Sequence, residues 1–339
     1  MNNKILNIAQ IGVGYWGPNL LRNLVLNNHC VVKMAVDTSA ERRNFVKKLY
    51  PTINVSDNAN DAIHDQNIDA IVIATPVSSH FNLAMQTLNS GKHLLIEKPM
   101  ATTVAHVNQI GRLALKNKLV VMAGHTFLYN PAVRFIKQLI DSGKLGDIRY
   151  IYSQRVNLGR IRSDVDALWN FAPHDVSIIQ YWLGNPDPLI VKRSGMAYVQ
   201  EGIDDVVFMN IHYPDDILVN IHVSWLDHHK VRRMTVVGSK KMVVYDDIAK
   251  DRVIIYDKGI DRMAVLGEHM DFDSPNELSF SHRSGDVNHP KIIWEEPLKI
   301  EIEHFIDCIM NGTKCLTGVD HARKVVSILE KGSGRKESQ

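Results

Sequence analysis

The chain has 339 residues, 45% of them hydrophobic, and its 39 basic and 37 acidic side chains leave a formal net charge of +2. Single cores rarely grow past about 250 to 300 residues, so this length predicts two domains. The charges are spread along the chain, which argues against a nucleic acid or a membrane surface as partner.

The N-terminus, MNNKILNIAQIGVG, enters a strand almost at once, without a charged leader, a long apolar stretch or a cleavage site, and a cytoplasmic protein is expected. Residues 5–37 then read as strand, glycine loop, helix, strand and acid. Gly12 can turn tightly out of the strand, Gly14 leaves room for a pyrophosphate, and Gly17 lets helix and strand pack closely. Tyr15 and Trp16 complete the loop, and Pro18 suits the start of a helix whose free amides favour a diphosphate. Asp37 follows Gly17 by 20 residues, where a carboxylate can accept the ribose hydroxyl hydrogens of an adenosine. The unit predicts a dinucleotide site. Asp37 would repel a 2'-phosphate, so NAD is expected over NADP, although Arg42 and Arg43 lie one helical turn on and could reach such a phosphate.

Apolar runs alternate with helical patterns up to residue 123: KILNIAQI, VVKMAV, DAIVIAT, KHLLIEK and LVVMAG are the expected strands. Such alternation predicts an α/β domain over 1–123, a doubly wound parallel sheet of the Rossmann type, binding NAD. Ligands there lie outside the carboxyl ends of the strands. The expected cofactor rim is therefore Gly12, Gly14, Tyr15, Trp16, Gly17, Asp37, Thr75, Pro76, His80, Glu97, Lys98 and His125.

Residues 124–339 are expected to form an α+β domain for substrate binding and oligomerisation. Longer runs, from DIRYIYSQRVNL to KMVVYDD, are separated by turn signals such as YPDD and VGSK and predict an open, largely antiparallel sheet. A helix starting near Pro173 is expected to cover one face, and oligomerisation to cover the other. Helical patterns near Leu298 to Met310 and Val319 to Lys331 close the chain. Asp271 to Pro290 reads as a long irregular loop, and the tail KGSGRKESQ as a frayed end.

In KHLLIEKPMA, Glu97, Lys98 and Pro99 follow a buried strand. They read either as a solvated strand end or as a site in which Lys98 steadies a substrate oxygen. Acting as a base would require a large fall in the lysine pKa, so a charged electrostatic clamp is the more economical role. In ALWNFAPHD, a helix beginning at Pro173 would place His174 and Asp175 in its first turn, with Trp169 and Asn170 just before it. His174 suits proton transfer, the alternative being a capping or packing role, and Asp175 reads as a helix-dipole partner. Arg155, Asn157, Arg160 and Arg162 precede this cluster and read as a diphosphate-binding set or as an exposed strand end. His125, Phe127 and Tyr129 leave the last Rossmann strand, to flank substrate or to pack in the core. Cys30, Cys308 and Cys315 lack CxxC or metal-ligand spacing and are expected to be reduced core thiols, with no metal site. No YxxxK pair occurs, which argues against a short-chain dehydrogenase.

The segments GVGYWG, AIVIATPVSSH, GKHLLIEKPMA, LGDIRYI and APHD, in this order, resemble the glucose-fructose oxidoreductase / inositol dehydrogenase / MocA-like (Gfo/Idh/MocA) family over nearly the whole chain. The resemblance implies a Rossmann domain followed by an open mixed sheet, NAD(P) use, and homodimers or homotetramers formed through the sheets. The lysine of the family's EKP motif maps to Lys98, and the histidine of its DxGxH motif to His174. Asn170 and Ala172 stand where that motif has Asp and Gly, and Asn cannot exchange a proton. The glycine loop, RVNLGRIRSDVDALWN and APHD look most like bacterial members acting on nucleotide-activated sugars, including UDP-N-acetylglucosamine 3-dehydrogenases. The resemblance thus implies a small-molecule partner, with Arg155, Asn157, Arg160, Trp169, Asn170 and Tyr129 toward substrate. It leaves open an inositol or free-sugar dehydrogenase, an NAD-dependent glycosidase and a non-catalytic dinucleotide sensor.

Overall fold

A computed structural model describes residues 5–264 and 278–333. The first part of the chain alternates β1 (Leu6–Ile11), α1 (Gly17–Leu26), β2 (Cys30–Val36), α2 (Ala40–Leu49), β3 (Asn54–Ser56), α3 (Ala59–Ile63), β4 (Ala70–Ile73), α4 (Val77–Asn89), β5 (His93–Glu97), α5 (Val104–Asn117) and β6 (Val121–Gly124). The six strands form one parallel sheet in the order β3-β2-β1-β4-β5-β6. Its central strands are buried on both faces, which is why they read as continuous apolar runs. The strand order reverses between β1 and β4, placing the glycine loop at the switch point. The five expected strands are present. β3 is additional, a three-residue edge strand too short and polar to stand out in the sequence.

Thr126–Tyr129 forms a 3-10 turn, followed by α6 (Pro131–Asp141), β7 (Ile148–Val156), α7 (Ala167–Leu183), β8 (Ile190–Met196), β9 (Val206–His212), β10 (Leu218–Ser224), β11 (Val231–Gly238), β12 (Met242–Asp246), β13 (Val253–Ala264), β14 (Leu278–Asn288), α8 (Pro297–Asn311) and α9 (Val319–Gly332). The second sheet has the order β14-β13-β12-β11-β7-β10-β9-β8 and is antiparallel except for the β7–β10 pair. One face carries Ile151, Val219, Ile221, Met209 and Val236 and is buried; the other carries the exposed Tyr150, Tyr152, Phe208 and Leu218. The alternation follows from the two-residue period of a strand.

Two expectations change here. The span expected as an irregular loop contains β14, an edge strand whose polar sequence SHRSGDVN gives no apolar signal; Asp271 to residue 277 lie outside the described residues, as does most of the basic tail, from residue 334. Helix α7 starts six residues before Pro173, because Asp166 caps it: its Oδ1 accepts the Trp169 N–H at 2.8 Å. Pro173 therefore lies inside the helix, and His174 stands in its interior rather than in its first turn.

The chain groups into two compact units, one of residues up to Pro131, Val176–Asn185 and those from Trp294 onward, the other of Ala132–Asp175 and Pro186–Ile293. A single cut after residue 123 does not describe this grouping. Helix α9 packs on α5 and β6, and α8 on α1 and the 3-10 turn. Helical periodicity identifies these elements but not the sheet they cover.

Candidate active site

In the first unit, the loop between β1 and α1 is held from beneath by Gln10, whose Nε2 donates to the carbonyls of Gly12 at 2.9 Å and Gly17 at 2.8 Å. Gly12 has φ +96°, and a Cβ there would lie 2.5 Å from the Ala74 carbonyl oxygen. At Gly14 a Cβ would meet nothing within 4 Å, so the backbone faces open space. No side chain caps α1; Pro18 has no N–H, the Asn19 N–H donates to the Trp16 carbonyl at 3.0 Å, and the positive end of the helix dipole at the loop favours an anion. Asp37 ends β2; its carboxylate accepts the Val13 N–H at 2.7 Å and the Ser39 N–H at 2.9 Å. Arg43 donates to the backbone carbonyls of Asp37 and Thr38. These features fit NAD. Tyr15 is almost fully exposed, and the Trp16 indole donates to Glu97 across the rim.

Thr75 bonds Ser79 at 2.7 Å beside Pro76, which starts α4. His80, expected on the cofactor rim, is buried on the inner side of α4 and bonds the carbonyl oxygens of Pro99 at 2.8 Å and Thr75 at 2.9 Å. It straps together the loops after β4 and β5. Burial, more than the nearby Lys98, holds its pKa below the usual imidazole value against the pull of the two carbonyls.

Glu97 and Lys98 stand at the carboxyl end of β5, both half-buried. Burial pushes the Glu97 carboxyl up to about 7, although the Lys98 cation, the Lys98 amide and Trp16 all favour the anion. Glu301 of α8 is buried and accepts the Thr126 hydroxyl at 2.6 Å. Burial and then repulsion from Glu97 raise its pKa well above the ordinary glutamate value. His125 is held neutral by burial, then by His321 and Lys98, and packs edge-on to His321 at 5.3 Å. Glu97, Lys98, His125 and Glu301 thus form one titratable cluster at the ends of β5 and β6. Tyr129, expected toward substrate, is instead fully buried, its hydroxyl 3.0 Å from Thr317. The 3-10 turn rotates it into the core.

In the second unit, Arg155 of β7 points to the buried face of its sheet rather than lying on an exposed strand end. Its Nε and Nη2 donate to Asp175 Oδ1 at 2.9 and 2.7 Å, and both residues are buried. Asp175 is therefore an ion-pair partner and not a helix-dipole residue. Arg232, absent from the sequence expectations, donates to the Val156 carbonyl and to Asn157, and lies 5.0 Å over the Phe171 ring. Burial and then Arg155 push its pKa down to about 10. Its strand, VRRMTVVG, was legible in the sequence, but the register that brings it beside Arg155 was not. Asn170 and His174 are four residues apart on α7 and share a face, both half-buried, and Trp169 is nearly buried. Arg160 is exposed, and Arg162 forms a two-bond pair with Asp164 at 2.8 and 2.5 Å.

The reversed parallel sheet, the glycine loop opening α1 and Asp37 at the end of β2 define a NAD-binding oxidoreductase. Residues 6–125 match the model described as oxidoreductase family, NAD-binding Rossmann fold, and residues 133–244 match the GFO/IDH/MocA C-terminal domain. The chain belongs to the Gfo/Idh/MocA oxidoreductase family. It is 28% identical over 187 residues to 4-carboxy-2-hydroxymuconate-6-semialdehyde dehydrogenase of Sphingobium sp., covering 53% of this chain and 59% of that protein. It is 26% identical over 194 residues to UDP-N-acetylglucosamine 3-dehydrogenase of Acidithiobacillus ferrooxidans, covering 57% and 59% respectively. These alignments span less than two thirds of either relative. The solved structure of the Acidithiobacillus enzyme has a TM-score of 0.79 at 20% identity, over 96% of this chain and 95% of that one. GenD2 from gentamicin A biosynthesis, solved in complex with NAD, has 0.79 at 19% identity, over 97% and 93%. Among the described residues, no helix is long and apolar enough to cross a membrane.

Proposed function

We propose that this protein is an NAD-dependent dehydrogenase acting on a secondary hydroxyl of a nucleotide-activated sugar, the 3-hydroxyl of UDP-N-acetylglucosamine or a close analogue. The observation that carries the reading is that a lysine and a histidine stand on buried supports: Lys98 at the end of β5, and His174 on α7 beside the Arg155–Asp175 pair. Similarity to the Acidithiobacillus enzyme supports the choice of substrate.

Bound nicotinamide would supply the hydride acceptor. His174 takes the hydroxyl proton, and the Lys98 ammonium stabilises the negative charge that develops on the oxygen. Asn170, one helical turn from His174, donates or accepts hydrogen bonds but carries no proton across. Arg160, with Asn157 and Trp169, serves the nucleotide end of the substrate. Arg155 acts at one remove by bracing Asp175, the residue next to His174. The exposed face with Tyr150, Tyr152 and Phe208 supports a homo-oligomer formed through the second sheet.

The residue roles are tested by turnover and NAD titration of Lys98→Ala and His174→Gln. Lys98→Ala is expected to lower kcat by about 100-fold or more with NAD affinity nearly unchanged. His174→Gln should cost about 100- to 10,000-fold in kcat. Near-normal turnover in either variant would refute the assigned role.

A further inference from the structure

Helix α8 carries His304 and Cys308 four residues apart, so the two side chains project from the same face one turn apart. The helix ends at Gly312, whose φ of +70° turns the chain back, and the returning loop brings Cys315 onto the same face. His304 Nε2 and the Sγ atoms of Cys308 and Cys315 all lie within 4.8 Å of one another, with Cys308 Sγ 3.5 Å from His304 Nε2. The sequence expectation of reduced core thiols weighed the cysteine spacings alone.

We propose that His304, Cys308 and Cys315 form a zinc site with a fourth position left to water. Two thiolates and an imidazole suit a borderline-soft cation, whereas calcium and magnesium require oxygen ligands. Around a tetrahedral Zn²⁺, bonds of about 2.0 to 2.3 Å place such ligands roughly 3.6 to 3.8 Å apart, so closing the cluster needs movements of about 1 Å. Cys308 is buried, while His304 and Cys315 are half-exposed and leave a way in.

The Leu316 N–H donates to His304 Nε2 at 3.0 Å, so that nitrogen carries a lone pair rather than a proton. Zinc would replace this amide and displace the thiol protons to solvent. The bound ion would tie the end of α8 to the loop whose Thr317 carbonyl accepts the Ala123 N–H at 2.8 Å, beside the β6 end that carries His125.

The test uses the full-length, reduced, chelator-treated chain and reads metal uptake, so its result does not depend on the proposed dehydrogenase activity. One Zn²⁺ per chain is expected, together with a thiolate-to-metal charge-transfer band when Co²⁺ replaces it. Cys308→Ser and Cys315→Ser should each weaken uptake by more than the roughly 10- to 100-fold that loss of an outer-shell partner costs. In the unaltered chain, Zn²⁺ should protect Cys308 and Cys315 from alkylation, a readout that needs no variant to fold. No stoichiometric uptake, a cobalt spectrum without the thiolate band, or alkylation of both thiols unaffected by Zn²⁺ would overturn the site.

Discussion

Arg155 places two of its donors on a single oxygen of Asp175, at 2.9 and 2.7 Å, with both side chains buried on the inner face of the second sheet. The pair fixes the stretch of α7 that carries His174. A second guanidinium, Arg232, stands opposite Arg155 in the register, where the two arginines repel each other and Asp175 attracts both.

Removing one partner of such a pair leaves a buried charge uncompensated. Asp175→Ala is expected to destabilise the protein by about 3 to 5 kcal/mol, whereas the double variant Arg155→Met/Asp175→Leu should lose much less. Urea unfolding midpoints compare them, and equal losses in the single and double variants would contradict this reading.

The two glycines of the cofactor loop should respond differently to a side chain. At Gly12 a Cβ collides with the Ala74 carbonyl at 2.5 Å in a backbone conformation of φ +96°, so Gly12→Ala should lower the melting temperature. At Gly14 the same Cβ enters open space, so Gly14→Val should fold normally and fail to bind NAD. Calorimetric titration of NAD beside thermal melts separates the two; a Gly14→Val protein with normal NAD affinity would place the diphosphate elsewhere.

The raised pKa of Glu97 carries a pH dependence with a definite sign. Between the ordinary glutamate value of 4.5 and about 7, the unfolded chain has lost a proton that the folded chain retains. Stability should therefore fall as pH rises through that window and level off above it, by an amount on the order of 3 kcal/mol. Glu301, whose pKa burial also raises, contributes in the same direction. Glu97→Gln should flatten the slope of unfolding free energy against pH, and an unchanged slope would show that Glu97 ionises normally.

Phe208 lies on the exposed face of the second sheet, stacked on His222 with ring centroids 4.2 Å apart. If that face joins copies of the chain, Phe208→Glu should shift sedimentation to a smaller species without lowering the melting temperature of the monomer. A native chain that sediments as a monomer would remove this assembly.

The Rossmann half was legible because each device is local: a turn that needs glycine, an acid at a fixed distance, apolar runs buried on both faces. The second sheet was legible as strands but not as neighbours, so the approach of Arg232 to Arg155 could not be read. Pro173 drew the start of α7 forward because proline favours first turns, while Asp166, the true cap, precedes an ordinary-looking stretch. His80 read as a rim residue and Tyr129 as a substrate contact, and both are buried by the turn or helix face that carries them. Glu301 and His321 reach the β5 and β6 ends from helices about 200 residues later in the chain, a closeness that no spacing rule encodes.

The proposed NAD-dependent oxidation of a sugar hydroxyl is read out by reduced-nicotinamide absorbance after mixing the protein and NAD with UDP-sugars, free hexoses and inositols, with mass spectrometry of the products. A signal is expected with UDP-N-acetylglucosamine or a close analogue, with a product lighter by two hydrogens. Reduction of NAD by inositol or a free hexose alone would contradict the nucleotide-sugar assignment, and hydrolysis of a glycoside with no net reduction of NAD would contradict the dehydrogenase itself.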